Sequence, residues 1–271
     1  MEHFAIKYLR KNILPTPFCP GCGNGIIVNA LFKAIEELKY KDLNNFTFCS
    51  GIGCAAWIPS PHFKADTIHT LHGRAIPVAT GIKMMKPQQK VIVIGGDGDI
   101  AGIGLNHLIH AARRNIEITV IMVNNMIYGM TGGQVAPTTP LNIKTTTTPR
   151  GNIEEPINVP EILVAAGAPF VAKWTTYHVI QLKNSIKKAI QKNSFAYIEV
   201  MSQCPTSYGK NANLRTPFEI MKWFKENSIP LAKAKKLKRE ERREKIVIGE
   251  YINIEKEGFV EKIYREMVNQ R

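Results

Sequence analysis

The sequence predicts an α/β fold with a doubly wound parallel sheet, and two observations carry that prediction. Several short runs are apolar nearly throughout, as strands covered on both faces must be. Helical patterns separate these runs, and strand–helix alternation builds parallel sheets. The chain has 271 residues, 44% of them hydrophobic, enough for one large α/β domain plus an appendage.

The elements follow in order. Residues Ile26 to Leu38 carry a helical pattern. Asn45 to Cys49, "NFTFC", reads as a strand ending in the turn "SGIGC". A helix is predicted over Ala75 to Met85. Lys90 to Ile94, "KVIVI", is the next strand; it runs into "GGDGDIAGIG" and the helix "GLNHLIHAARRN". Ile116 to Val123, "IEITVIMV", is the third strand and ends at Asn124-Asn125. Residues 129 to 159 are rich in Gly, Thr and Pro, with four threonines in a row at 145 to 148. A connection that long is functional or mobile. The fourth strand, "FAYIEVMS", spans Phe195 to Ser202. From Thr216 the character changes: an amphipathic helix, "PFEIMKWFKEN", precedes a charged run and a final helical stretch. Residues 1–215 are expected to form the main domain and 216–271 a helical extension.

Net charge is +14 and the isoelectric point is near 9.6. Between Leu231 and Ile246 stand eight Lys/Arg against three Glu. Such a run is usually a solvated helix face. The other basic residues form no stripe interleaved with aromatics, so no nucleic-acid partner is expected. No apolar run approaches the roughly 20 residues that span a bilayer, and no signal peptide is read at the N-terminus. A cytoplasmic protein with no membrane contact is expected.

Five cysteines, an odd number in such a chain, argue against a disulfide framework. Cys19-Pro-Gly-Cys22 alone fits a redox dithiol, a zinc knuckle or half of a cluster site. Cys54 and Cys204 each lie just after a predicted strand, so their loops open at the carboxyl edge of the sheet with the others. Four thiolates converging there suit zinc or an iron–sulfur cluster equally. Cys49, inside a strand, reads as a buried small hydrophobe.

The glycine loop poses a conflict. A glycine turn after a strand usually receives a phosphate, yet this one carries Asp97 and Asp99. The dinucleotide fingerprint fails because its third glycine is misplaced, and the Lys of a Walker loop is absent. A diphosphate held through Mg²⁺ resolves the conflict, because the cation bridges two mutually repelling anions. A second ligand then has to come from the neighbouring strand end. There stands Asn125, 28 residues past Asp97. Asp99 is read as a helix cap or a backbone contact.

G-D-G followed at this distance by N-N resembles the thiamine diphosphate motif. By that resemblance Asp97, the Asn125 side chain and the Ile127 carbonyl bind Mg²⁺, and the backbone of Gly98 and Asp99 holds the diphosphate. Residues 10 to 230 then resemble the β subunit of 2-oxoacid:ferredoxin oxidoreductases. The matching segments are "FCPGCGN", "SGIGC", "LHGRAIPVATGIK", "GDGD", "NHLIHAARRN", "NNMIYGMTGGQVAPTTP" and "QCPTSYG". In that family the corresponding cysteines, here Cys19, Cys22, Cys54 and Cys204, ligate one 4Fe-4S cluster, which favours iron over zinc. Ile52, Gly53, Cys54, Ala55, His72, Gly129 and Met130 are implied to touch the cofactor. His72 is the implied catalytic residue, hydrogen-bonding the substrate or the diphosphate.

The implied fold is the thiamine diphosphate-binding fold. The implied reaction is oxidative decarboxylation of a 2-oxoacid, with coenzyme A taking the acyl group and two single electrons passing through the cluster to ferredoxin. The activating glutamate of this family comes from the α subunit, so an obligate complex with α, and with γ and δ where present, is expected. "IYGMTGGQ" and "NHLIHAARRN" resemble the 2-oxoglutarate branch; pyruvate or a broad 2-oxoacid range is the alternative. More distant alternatives are a non-redox thiamine enzyme and a zinc-stapled basic nucleic-acid binder.

Overall fold

The computed structural model describes residues 3–243 and 245–269. Residues 1, 2, 244, 270 and 271, which fall within the predicted domain ranges and the basic run, lie outside them. The strands are β1 (Phe46–Ser50), β2 (Asp66–His69), β3 (Lys90–Gly96), β4 (Ile118–Asn124), β5 (Phe170–Thr175), β6 (Ala196–Met201), β7 (Ser228–Pro230) and β8 (Ile246–Asn253). The helices are α1 (Asn24–Glu37), α2 (Ala75–Met85), α3 (Leu105–Arg114), α4 (Val159–Ala165), α5 (Val179–Gln191), α6 (Pro217–Asn227), α7 (Leu231–Ala234), α8 (Arg239–Arg243) and α9 (Phe259–Asn269).

One eight-stranded sheet runs in the order β2-β1-β3-β4-β6-β5-β8-β7. The first six strands pair in parallel, and β8 joins β5 antiparallel. Buried side chains of α1 and α5 cover one face of the sheet with Phe46, Phe48, Ile92 and Ile198. Those of α2, α3 and α4 cover the other with Val91, Val120 and Tyr197. The doubly wound expectation holds. Cys49 is fully buried in β1, as a small hydrophobe should be.

Four strands exceed the prediction. β2 is a short edge strand whose residues are mostly exposed, so it shows no apolar run. β5 carries Lys173 and Thr175 among its apolar residues, which hides its character. The extension expected to be helical also contains β7 and β8. In β8, Ile246 and Ile248 are buried while Val247 and Gly249 between and beyond them are not, the alternation of an antiparallel strand with one face covered.

The predicted loop at 95–104 begins later than expected. Gly95 and Gly96 pair with Met122 and Val123 as the last residues of β3, so the turn starts at Asp97. Because the six parallel strands point one way, the ends of β1, β3, β4, β5 and β6 all open at a single edge. That edge is where an open α/β sheet receives its ligands.

Candidate active site

Asp97 follows β3 and is buried. The Thr138 hydroxyl donates to its carboxylate. Burial pushes the carboxyl up to about 7, and the charge of Glu199 adds to the rise. From Gly98 the chain makes a wide π-helical turn to Ile103, a geometry frequent at functional sites.

Asn125 follows β4. Its Oδ1 accepts the Ile127 N–H at 3.2 Å, closing a short side-chain turn. Between them Met126 has φ of 64°, a left-handed conformation that a side chain normally avoids. Thr139 holds this turn by donating to the Met126 carbonyl at 2.7 Å. Thr138 and Thr139 therefore staple the acid of one strand end and the turn of the next. Both lie in the long Thr/Pro-rich connection, and neither was singled out by sequence. The only cue was the length of that connection.

Gly98 and Tyr128 explain each other. A Cβ on Gly98 would lie 2.1 Å from the Tyr128 ring, whose hydroxyl donates to the Gly98 carbonyl at 3.1 Å. Gly98 is thus required by the ring that packs on it. By contrast, Gly96 and Gly53 face open space, Gly53 with φ of 138°. These two leave room for a ligand to approach the backbone. Gly98→Ala is expected to displace the ring and destabilise the chain by about 1–3 kcal/mol. Thermal denaturation of the variant checks this.

Asp99 does not cap a helix, which corrects the sequence reading. It sits inside the wide turn rather than at its start, and its side chain reaches back across the edge. Its Oδ1 accepts the Gly73 N–H at 2.6 Å and the Ile52 N–H at 3.3 Å, and lies 3.0 Å from His72 Nδ1. Its Oδ2 lies against the Cα positions of Gly51 and Gly95 and has no hydrogen-bond partner among the described residues. Burial raises the Asp99 pKa. The residue is a brace that ties the loop after β1 and the loop before α2 to the wide turn. His72, half exposed, also meets the Ile52 carbonyl at 3.3 Å, and its ring stands 6.2 Å from that of Tyr128.

The predicted cysteines share one neighbourhood. Burial raises the Cys22 thiol to about 11, and the charges of Cys204, Cys54 and Cys19 add to it. Cys54 is pushed to about 11 by burial and by Cys204, Cys19 and Asp97. A Cβ on Gly129 would lie 3.6 Å from Cys204 Sγ, 3.8 Å from Cys54 Sγ and 3.7 Å from Asn125 Nδ2. Gly129 therefore stands between the thiols and the Asn125 turn. The Cys19–Cys22 loop is fastened beside β6, since Gly23 N–H donates to the Gln203 carbonyl at 3.0 Å. Asn24 Nδ2 donates to the Cys54 carbonyl at 3.2 Å, a contact not foreseen. Ile52 and Met130 are exposed around this edge, and Ala55 is buried. Among the described residues no three His, Cys, Asp or Glu side chains converge as ligands of a single ion. The donor set itself, four thiols with acid and amide oxygens nearby, suits an iron–sulfur cluster beside a hard cation.

Comparison with known proteins identifies the family. Residues 51–200 match the family model of the thiamine pyrophosphate enzyme C-terminal binding domain. The chain is 54% identical over 263 residues to the 2-oxoglutarate synthase subunit KorB of Methanocaldococcus jannaschii, covering 97% of each protein. It is 47% identical over 192 residues to the 2-oxoacid:ferredoxin oxidoreductase subunit beta of Saccharolobus solfataricus, covering 70% of this chain and 62% of that one. A structure of 2-oxoglutarate:ferredoxin oxidoreductase from Magnetococcus marinus with 2-oxoglutarate, coenzyme A and succinyl-CoA bound superposes with a TM-score of 0.86 at 30% identity. That match covers 99% of this chain and 91% of the other. With the wide turn at Asp97, the Asn125 turn and the four thiols at one sheet edge, the chain belongs to the thiamine pyrophosphate-dependent 2-oxoacid:ferredoxin oxidoreductases as a β subunit.

Proposed function

We propose that this β subunit, joined to an α subunit, oxidatively decarboxylates 2-oxoglutarate to succinyl-CoA. The observation that carries the reading is the 54% identity to a 2-oxoglutarate synthase subunit over nearly the whole of both chains. Bound thiamine diphosphate supplies the electron sink for decarboxylation.

The chain's own residues hold and surround the cofactor. Asp97, Asn125 and the Ile127 carbonyl would grip Mg²⁺, and Gly53 and Gly96 leave the backbone open to the diphosphate, with the Gly98 backbone beside them. Asp99 fixes His72 through Nδ1, which leaves Nε2 of that ring to hydrogen-bond the substrate or the diphosphate. Cys19, Cys22, Cys54 and Cys204 would hold one 4Fe-4S cluster, which would supply single-electron redox chemistry between this site and ferredoxin. The net charge of +14 suits an acidic carrier protein. Part of the basic run is otherwise engaged: Arg243 pairs with Glu155 at 3.2 Å and Arg242 with Glu161 at 4.0 Å. A cytoplasmic location goes with this reading; among the described residues no helix is long and apolar enough to cross a membrane.

Ferredoxin reduction by the co-expressed complex tests the substrate. We expect kcat/KM for 2-oxoglutarate to exceed that for pyruvate or 2-oxoisovalerate by about a hundredfold or more. A site built to pair the second carboxylate is left with unpaired polar groups by the others. Equal or better turnover of pyruvate would overturn the assignment in favour of a broad-range enzyme.

A further inference from the structure

A charged pair is buried in the sheet directly beneath the Asn125 turn. Lys173 of β5 and Glu199 of β6 are paired cross-strand neighbours, with Nζ and Oε1 2.7 Å apart. The Glu199 side chain is 2% exposed and that of Lys173 17%. A buried ion pair is poor value for stability, since an apolar pair of the same size usually serves as well or better. Its presence among apolar strand residues calls for another role.

The hydrogen bonds show where the pair points. Glu199 Oε1 accepts Asn124 Nδ2 at 2.9 Å, and Oε2 accepts the Tyr197 hydroxyl at 3.3 Å. Accepting at both oxygens, Glu199 fixes which end of the Asn124 amide faces up. Asn124 Oδ1 is thereby turned to accept the Met126 N–H at 3.0 Å. That bond holds Met126 in its left-handed conformation from its N–H, while Thr139 holds the carbonyl of the same residue. The outcome is the turn that carries Asn125 and Ile127.

We propose that Lys173, Glu199 and Asn124 are positioning residues that hold the 124–127 turn in register for cation binding. The inference rests on the reading of Asn125 and Ile127 as Mg²⁺ ligands. Lys173 anchors Glu199 from the next strand, Glu199 orients Asn124, and Asn124 sets the backbone of the turn. None of the three touches the cation. Outer partners of this kind orient ligands without contacting the metal.

The test is Mn²⁺ titration of the α/β complex in the presence of thiamine diphosphate, followed by electron paramagnetic resonance. Asn124→Asp sets a carboxylate against that of Glu199 and is expected to weaken Mn²⁺ binding about tenfold or more. Adding Glu199→Gln restores a donor–acceptor pair with its polarity reversed and returns the triad to its original net charge. The double variant is expected to recover affinity to within about threefold of wild type, the residue of an imperfect exchange. Unchanged affinity in Asn124→Asp, or a double variant no better than the single, overturns the proposal. Should Asn124→Asp fail to assemble, Asn124→Ser takes its place: the same weakening is expected, and wild-type affinity overturns the role. A wild-type complex that binds no Mn²⁺ refutes the cation-site reading itself, a result distinct from failure of the triad.

Discussion

Asp97→Asn is expected to give a chain that is more stable and unable to hold the cofactor. The carboxyl is buried, with the Thr138 hydroxyl and the N–H groups of Asp97 and Gly98 directed at it. Burial dominates, raising its pKa from 3.8 to about 7. An acid whose folded-state pKa is raised stabilises the fold fully below its unfolded value of 3.8, and that contribution is lost as pH rises through about 7. At pH 8 the carboxylate therefore opposes folding by a few kcal/mol, at about 1.4 kcal/mol per pKa unit. Asparagine keeps the volume and one acceptor oxygen and removes the charge. The melting temperature of the cofactor-free complex should rise by several degrees at pH 8 (roughly 2–4 °C per kcal/mol for a chain of this size) and by less at pH 5.

On the proposed reading of the site, the same substitution also removes a charged cation ligand. Mg²⁺ affinity is expected to fall at least a hundredfold, about the upper end of the range for groups that merely support a ligand. In the wild type the cation has to displace a proton, so its affinity should climb as pH rises through about 7; the variant should lack that slope. Scanning fluorimetry and calorimetric titration with Mg²⁺ and thiamine diphosphate measure both effects. Unchanged affinity would remove Asp97 from the cation site. A lower melting temperature at pH 8 would mean that the chain already compensates the charge.

What was legible in the sequence depended on burial. β1, β3, β4 and β6 are covered on both faces, so their apolar runs stand out. β2, β5 and β8 are an exposed edge, a strand with a half-buried lysine and an alternating strand behind a charged run, and none makes such a run. The candidate site residues stood out because acids, an asparagine and thiols at strand ends have few other uses together. Their supports were not. Thr138, Thr139, Tyr128, Asn24 and Glu199 act across long separations, and only folding brings them to the edge. Lys173 and Glu199 could have been noticed as opposite charges interrupting two apolar strands. The cap reading of Asp99 failed because a cap is a local role, and the partners of its side chain, Gly73, Ile52 and His72, lie 26 to 47 residues away.

Cys22→Ala is expected to abolish ferredoxin reduction and leave cofactor binding intact. Cys22 lies beside α1, where its thiol accepts the Asn24 N–H. Burial holds Cys22 and Cys54 near 11, so without a cationic centre these thiols stay neutral at pH 7. Four thiolates brought together at this edge would repel one another, and a core of iron ions would offset that repulsion. On the proposed ligation, losing one thiolate leaves one iron without its protein ligand and weakens retention of the cluster. The complex should lose its sulfur-to-iron charge-transfer absorption, and electron transfer to ferredoxin should drop to background. Thiamine diphosphate binding should persist, because Asp97 and the Asn125 turn are untouched. Cys49→Ala is the matched control. Its thiol is pushed to about 12 by burial inside β1 and packs among apolar side chains. That variant should keep the absorption and lose only about 1 kcal/mol of stability. A Cys22→Ala complex that keeps both colour and ferredoxin reduction would remove Cys22 from the ligand set. A Cys49→Ala complex that loses them would place the cluster's dependence in the packing of the sheet, not in the four thiols at its edge.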